Sequence, residues 1–515
     1  MRRLSFNSHK LLLLIIFSSF GLALDISIIN CQAKWDYNWV IVSNADPIPG
    51  IDAYIIDFNN GKRSLREISA YNIIHQGNAV ISDRYGNLQF FTNGCEVMDT
   101  LGGVIPNGGT INPGEVYDTY CHLGFYLGIQ NSTIIPDPSN EESYYYLQKK
   151  AILDDFQGND NWPLFPSQQY SRIRSDINGG VLIEKNITID SVRHRFSTST
   201  ESILHDNGVD WWVIDYLIEE AGGLRLTYII DNDGVNLHRE EEYENKVSLK
   251  YEYQSEGQSA FAPNGELYAR YNAATGLDLF DFDRSTGEFS NYRNFPTSLQ
   301  RNYSGLAFSP NSRFIYISSH DKLHQLDLWE ENLEDGLQLI GEYDGFVDPL
   351  PTNFTYMQLG PDCRIYMTST NGVSSYHVIN NPDEKGLDCD FVQHGFDLPV
   401  GNGAASIPNF PVFRFDDDEV CDPMITSVFD IPVEVVYDLE LHPNPTTDEL
   451  IVGFPEELRD GTLYVKSMSG QVVIEQVFDF SGSLKVSLVD YDAGMYIIEV
   501  ESGGKRYVDR VVKLD

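Results

Sequence analysis

Three stretches of this 515-residue chain repeat one pattern: Phe261-Ala-Pro-Asn-Gly-Glu-Leu-Tyr268, Phe308-Ser-Pro-Asn-Ser-Arg-Phe-Ile-Tyr316 and Leu359-Gly-Pro-Asp-Cys-Arg-Ile-Tyr366. Each sets an apolar residue before a Pro-Asn or Pro-Asp turn and an aromatic-rich strand after it, at a spacing of about 50 residues. Looser copies stand upstream at Ile81–Phe90 and His205–Trp212. Second strands follow at Leu277–Asp283, before the turn Arg284-Ser-Thr-Gly287, and at Leu323–Leu328. A strand–turn–strand–turn unit repeated every 40–50 residues or so is the signature of a propeller blade, which cannot bury both of its faces without neighbours. Residues 34–415 have room for about seven such blades. The stretch 130–200 is the least regular, and its strands are not assigned from sequence.

A second pattern begins after the propeller. Asp416-Asp-Asp-Glu419 and Cys421-Asp-Pro423 read as an acidic, solvated linker over 416–432. From 433 onward, Leu484, Val486 and Leu488 alternate with Lys485 and Ser487, and Tyr496, Ile498 and Val500 with Ile497 and Glu499. Period-two alternation in short strands predicts a small antiparallel sandwich. The expected fold is therefore all-β, a seven-bladed β-propeller followed by a small Ig-like antiparallel β-sandwich over 433–515.

The amino-terminal end has a different character. Arg2, Arg3 and Lys10 precede the apolar run Leu11–Phe17, and small residues follow at Ser18, Ser19, Gly21 and Ala23. That order describes a secretory signal peptide within 1–33, with cleavage after Ala23 or after Ala33. The run is too short to span a bilayer, which takes about 20 apolar residues. With 76 acidic against 35 basic side chains, a net charge of −41, the surface repels phosphate backbones, and no nucleic-acid partner is expected. The six cysteines lack zinc-ligand spacing, and in an exported chain they can pair. Sequence proximity favours Cys95 with Cys121 and Cys363 with Cys389, the latter closing a loop of about 25 residues.

The C-terminal 80 or so residues resemble the sorting domains of type IX secretion substrates. The resemblance rests on His442-Pro443-Asn444-Pro445-Thr446, Ser469-Gly470, Ala493-Gly494-Met495-Tyr496 and the final Val511-Val-Lys-Leu514. That family usually opens on an aromatic residue where His442 stands here. It implies handling by the type IX secretion machinery, export across the outer membrane and display at the outer cell surface. The propeller resembles the one that precedes such domains in many surface proteins. Ala79–Asp83, Gly86–Gly94, Pro106-Asn-Gly108, His205–Gly208 with Trp211–Val213, Gly305–Pro310, Leu359–Asp362 and Cys389 carry that likeness.

Motifs for chemistry are sparse. Asp206-x-Gly208-x-x-Trp211 is half of a sialidase Asp-box, but Leu204 stands where Ser or Thr belongs. Asp231-Asn-Asp-Gly234 with Glu240 is similar to a calcium loop whose first carboxylate is replaced by Ile229. A hairpin turn accounts for the same residues, and calcium is the one cofactor the acidic sequence admits. There is no His-x-x-x-His on a helix, no Gly-x-Ser-x-Gly and no Gly-rich phosphate loop, so no catalytic, cofactor or metal residue is singled out. Trp211, Trp212 and Tyr144-Tyr-Tyr146 are candidates for stacking on sugars, with core packing as the plainer reading. The expected function is a non-catalytic surface module binding protein or glycan ligands at its axial face. The alternative is a carbohydrate-active enzyme using paired carboxylates in the propeller funnel.

Overall fold

The computed structural model describes residues 33–515 apart from 43–52, 60–62, 69–77, 244–256, 296–303, 399–406, 416–419, 421–433, 468–471 and several shorter stretches. The signal-peptide reading, Cys31, Ser469-Gly470, Cys421 and nearly all of the acidic linker lie outside the described residues. Among those described, regular structure is strand apart from the helix Glu115–Tyr120 and three short 3-10 turns.

The strands form seven successive antiparallel sheets. The first holds Asn38–Val42, Ala53–Asp57 and Ser64–Ile68, and the second Ala79–Ser82, Leu88–Thr92 and Val97–Met98. The third is Ser132–Asp137, Asn140–Phe156, Asn159–Arg174 and Val181–Ser191. The fourth is Glu201–Leu204, Trp211–Glu219, Gly222–Asp231 and Gly234–Tyr243, with Arg195–Phe196 beside it. The fifth is Gln258–Phe261, Leu267–Asn272, Gly276–Asp283 and Glu288–Phe295. The sixth is Leu306–Phe308, Phe314–Ser318, Lys322–Asp327 and Leu337–Glu342. The seventh is Met357–Leu359, Ile365–Met367, Ser375–Ile379 and Phe391–Asp397. The repeated Pro-Asn and Pro-Asp turns join the first two strands of the last three sheets, so the repeat does mark equivalent hairpins.

The sheets pack face against face. Tyr271, Leu277 and Leu279 of the fifth meet Leu306, Ile315 and Leu326 of the sixth. The seventh reaches the first through Tyr366, Tyr376 and Phe396 against Trp39 and Ile55. Each fully buried Leu- or Phe-sized side chain contributes about 1.5–3 kcal/mol, so every sheet depends on both neighbours. The first strands also meet, Gln258–Phe261 lying between Glu201–Leu204 and Leu306–Phe308. At their meeting, side-chain amides tie one sheet to the next. The Gln258 amide donates to the Met357 carbonyl at 2.5 Å and accepts from the Leu306 and Met357 N–H groups at 2.9 Å. Gln130 donates to Glu201 and to the Ser259 carbonyl, and accepts from the Ser259 N–H.

The irregular stretch 130–200 holds two long strands, of 17 and 16 residues. Register shifts between Lys150 and Ile152 and between Asp154 and Phe156 break their pairing. Each bulge moves the alternation to the other face, which removes the period-two signal from the sequence.

The cysteines divide. Cys95–Cys121 is a disulfide with Cα atoms 5.7 Å apart, tying the end of the second sheet to the turn after Glu115–Tyr120. The expected Cys363–Cys389 bridge is corrected. Cys363 is disulfide-bonded, but Cys389 is a buried free thiol. Cys363 sits in the loop between the first and second strands of the seventh sheet, and Cys389 between the third and fourth. Loops two strands apart are separated by roughly 10 Å, beyond the span of a disulfide. The Cys389 side chain packs instead in the core formed with Tyr316 and Phe354.

The C-terminal module is an antiparallel sheet that bends around its own core. Strands Glu440–His442, Glu449–Ser467, Val472–Ser487, Gly494–Ser502 and Lys505–Lys513 enclose Leu450, Val452, Leu484, Val486, Ile498 and Val500. Leu484, Val486 and Leu488 are buried while Lys485 and Ser487 are exposed, as alternation requires. A short strand, Glu434–Tyr437, pairs in parallel with Ser64–Arg66 of the first sheet and with Arg506–Tyr507. The two modules thus share one nine-stranded sheet.

Candidate ligand-binding face and sorting module

The axial region is occupied by the chain itself. Val412 pairs in parallel with Ile203, its N–H donating to the Ser202 carbonyl at 2.8 Å and its carbonyl accepting from the Leu204 N–H at 2.8 Å. Asn409 donates to the carbonyls of Ser132 and Thr200. Phe410 packs on Trp39, Phe413 on Trp35, and Arg414 forms an ion pair with Asp36. The cavity left there is about 90 Å³. It is lined by two buried carboxyls, Asp36 and Glu201, each pushed up by loss of water, Glu201 well above the usual range.

Behind Glu201, the Lys149 ammonium lies 2.6 Å from Asp215, both fully buried. Lys149 also donates to the Ser199 carbonyl at 2.8 Å. Burial lowers the Lys149 pKa and pushes Asp215 up to about 6, with each partner opposing the other's shift. Nothing in the sequence marks these residues, because Lys149 and Asp215 stand on different sheets.

The face that carries the Pro-Asn turns has an open groove of about 620 Å³ between the fifth and sixth sheets. Asn264 and Asn311, equivalent residues of two repeats, lie on its rim with Glu266, Arg293, Arg284 and Trp329. Each turn organises itself: the Asn264 carbonyl oxygen of the side chain accepts from the Glu266 N–H at 3.0 Å, and that of Asn311 from the Arg313 N–H at 3.0 Å. Trp329 is 71% exposed, whereas Trp39, Trp211 and Trp212 are at most 1% exposed. The Arg313 guanidinium lies 4.6 Å from its ring centroid and is itself fixed by two bonds to Asp327, at 2.9 and 2.7 Å. Asp327 also accepts from the Trp329 N–H and from Lys385, and the Arg313 bond holds its carboxyl well below the usual range.

The aromatic residues singled out in sequence belong to the interior. Trp211, Trp212 and Tyr144–Tyr146 are all buried. Trp212 lies between His205 and His238, and its indole N–H donates to the Arg284 carbonyl at 2.7 Å. Asp206 pairs with Arg284 rather than completing an Asp-box site. Asp231 and Gly234 face each other across a hairpin turn, where Asp231 accepts from the Asp233 N–H. Trp329 escaped the sequence reading because burial alone separates it from the other tryptophans.

The sorting motif is assembled at one end of the C-terminal module. The bonds His442–Pro443 and Asn444–Pro445 are both cis. The Asn444 side chain donates to the Arg510 carbonyl at 2.7 Å and accepts from the Val512 N–H at 3.0 Å. Thr446 then pairs with the last strand, its N–H donating to the Val512 carbonyl and its carbonyl accepting from the Leu514 N–H. Tyr496 is buried opposite Val511. Gly494 opens its strand at a positive φ of 158°, which L side chains rarely adopt, although a Cβ there would meet nothing within 4 Å. Gly470 lies outside the described residues.

Residues 440–514 match the family described as the secretion system C-terminal sorting domain. Among solved structures, a Bacteroides uniformis protein assigned provisionally as a 6-phosphogluconolactonase is 12% identical, with 71% of this chain and 97% of that one covered at a TM-score of 0.43. The β-propeller domain of Cps50 (Swd1) from Myceliophteria thermophila is 10% identical, with 65% and 91% covered at 0.38. The periplasmic gluconolactonase PpgL of Pseudomonas aeruginosa is 12% identical, with 87% and 99% covered at 0.34. No curated protein matches the chain in sequence. Among the described residues no helix is long and apolar enough to cross a membrane. The C-terminal sorting domain makes this a protein secreted to the cell surface by the type IX machinery.

Proposed function

We propose that the chain is a non-catalytic cell-surface binding module. In this reading the seven sheets are the blades of a seven-bladed β-propeller, and an Ig-like sandwich over 433–515 delivers it to the surface. Its ligand, a protein or a glycan, is taken on the face of the Pro-Asn turns. The observation that carries the reading is the groove beside Trp329, whose volume of about 620 Å³ lies in the range of small-ligand sites. The axial cavity, about 90 Å³, is well below that range.

The enzyme reading draws on Asp36 and Glu201, two axial carboxyls with raised pKa. Both are engaged, Asp36 by Arg414 and Glu201 by Gln130, and the chain's own Asn409–Arg414 segment fills the approach. Binding therefore has the better-formed site.

The test is to immobilise the full chain and screen surface proteins and glycans for capture, and in parallel to assay polysaccharide breakdown. Capture weakened by Arg293→Ala, on the turn face, and unaffected by Glu201→Gln supports the proposal. Turnover of a polysaccharide that is abolished by Glu201→Gln overturns it.

A further inference from the structure

We infer that the groove between the fifth and sixth sheets is a saccharide subsite, with Trp329 as its stacking platform and an uncharged sugar as its occupant. The inference rests on the binding role proposed above and narrows it to one ligand chemistry.

The platform comes first. An indole 71% exposed to water leaves a large apolar surface unsatisfied, and here it is held still. Its backbone N–H is bound by Asp327, and Arg313, clamped by the same carboxylate, lies against its ring. An aromatic face fixed in advance suits the apolar C–H face of a pyranose ring, because little side-chain freedom remains to be lost on binding.

The rim supplies the polar half of sugar recognition. Asn264, Asn311, Glu266 and Arg293 are planar hydrogen-bonding groups, the kind that can address two neighbouring hydroxyls at once. Arg284 adds a buried Nη1 donor with no hydrogen-bond partner among the described residues, while its Nη2 binds Asp206. A hydroxyl oxygen would satisfy that donor.

Charge decides the class of sugar. The three arginines here are neutralised already: Arg284 by Asp206, Arg293 by Asp281 and Arg313 by Asp327. Glu266 and Asp283 add negative charge nearby, on a chain whose net charge is −41. A uronate or sulfated sugar would meet repulsion, and among the described residues the arginines at the groove are already paired. An uncharged sugar meets hydrogen-bonding groups without that penalty.

The experiment is calorimetric titration of the full chain with neutral oligosaccharides cut from laminarin, mannan and xylan, and with oligogalacturonate as the charged probe. Trp329→Ala and Trp329→Phe are titrated alongside, with thermal melts confirming that both fold. The expected result is binding to a neutral oligosaccharide, weakened about tenfold or more by Trp329→Ala and largely retained by Trp329→Phe. Binding confined to oligogalacturonate overturns the inference. So does neutral-sugar binding that Trp329→Ala leaves unchanged, although the binding role then stands. Capture of surface proteins with no sugar bound also removes the saccharide subsite and leaves the binding role intact, whereas failure to bind any protein or sugar removes both.

Discussion

The side chain of Asn444 holds the last strand of the chain, donating to the Arg510 carbonyl at 2.7 Å and accepting from the Val512 N–H at 3.0 Å. The first and last elements of the sorting motif, nearly seventy residues apart in sequence, are therefore one structure. Asn444→Ala removes both bonds and leaves two backbone groups to water, at an expected cost of about 1–2 kcal/mol. Chemical denaturation of residues 433–515 fused to a reporter measures it. An unchanged midpoint would show that the motif serves recognition alone.

Close approach of neighbouring sheets sets the second expectation. A Cβ on Gly305 would lie 2.0 Å from the Thr355 carbonyl oxygen. Gly305→Ala must separate the sixth and seventh sheets and should cost about 1–3 kcal/mol. Gly482→Ala, where the added carbon meets nothing within 4 Å, serves as the control. Equal melting temperatures for the two variants would refute the account.

Lys149 and Asp215 form a fully buried ion pair. Lys149→Met leaves the carboxylate buried and unpaired and should destabilise by about 3–5 kcal/mol. Lys149→Met with Asp215→Leu removes both charges and should recover most of that loss. Urea unfolding of the two variants separates a pair that stabilises from one that only avoids a penalty.

His377 predicts a pH dependence. Its Nε2 lies 2.8 Å from the Thr352 carbonyl and its Nδ1 accepts the His394 N–H at 3.2 Å, which fixes the neutral Nε2–H tautomer. Burial, with His394 beside it, lowers its pKa from 6.5 to about 3. Between those values the unfolded chain binds the extra proton and the folded chain does not. Its contribution is therefore intact above about pH 6.5 and falls by about 1.4 kcal/mol for each pH unit below. His377→Gln keeps a donor for Thr352 and cannot titrate, so its urea midpoints at pH 7 and pH 5 should differ less than those of the unaltered chain. An equal difference in both proteins would rule His377 out.

Export is testable by division. A chain ending at Pro432 keeps all seven sheets but loses Glu434–Val436, the parallel neighbour of Ser64–Arg66. It should fold and remain in the periplasm of a type IX-competent host, while residues 433–515 behind a signal peptide should carry a reporter to the surface. Gly494→Val in that reporter should weaken its delivery, since a β-branched side chain resists the positive φ of 158° even though the space beside it is open. Protease treatment of intact cells reads all three variants. Surface display of the truncated chain would remove the sorting role.

Much of the architecture was legible because it is local and repeated. Pro263-Asn264 and Pro310-Asn311 make equivalent turns, and the alternation at Leu484, Val486 and Leu488 assigns a buried face without knowledge of any partner strand. The His442–Thr446 and Val511–Leu514 segments revealed the sorting module by their order alone. Cys95 and Cys121, joined in the structure, were close enough in sequence to suggest their bridge. The same proximity failed for Cys363 and Cys389, because two strand spacings separate their loops. The bulged strands of 140–174 were illegible since each irregularity reverses the side-chain alternation. What only the tertiary structure decided depends on sheets meeting: the Lys149–Asp215 pair, the amide ties of Gln130 and Gln258, and the axial place of Asn409–Arg414. Trp329 belongs with these. Sequence records an indole there, but only packing determines that Arg313 takes one side of it and water is left the rest.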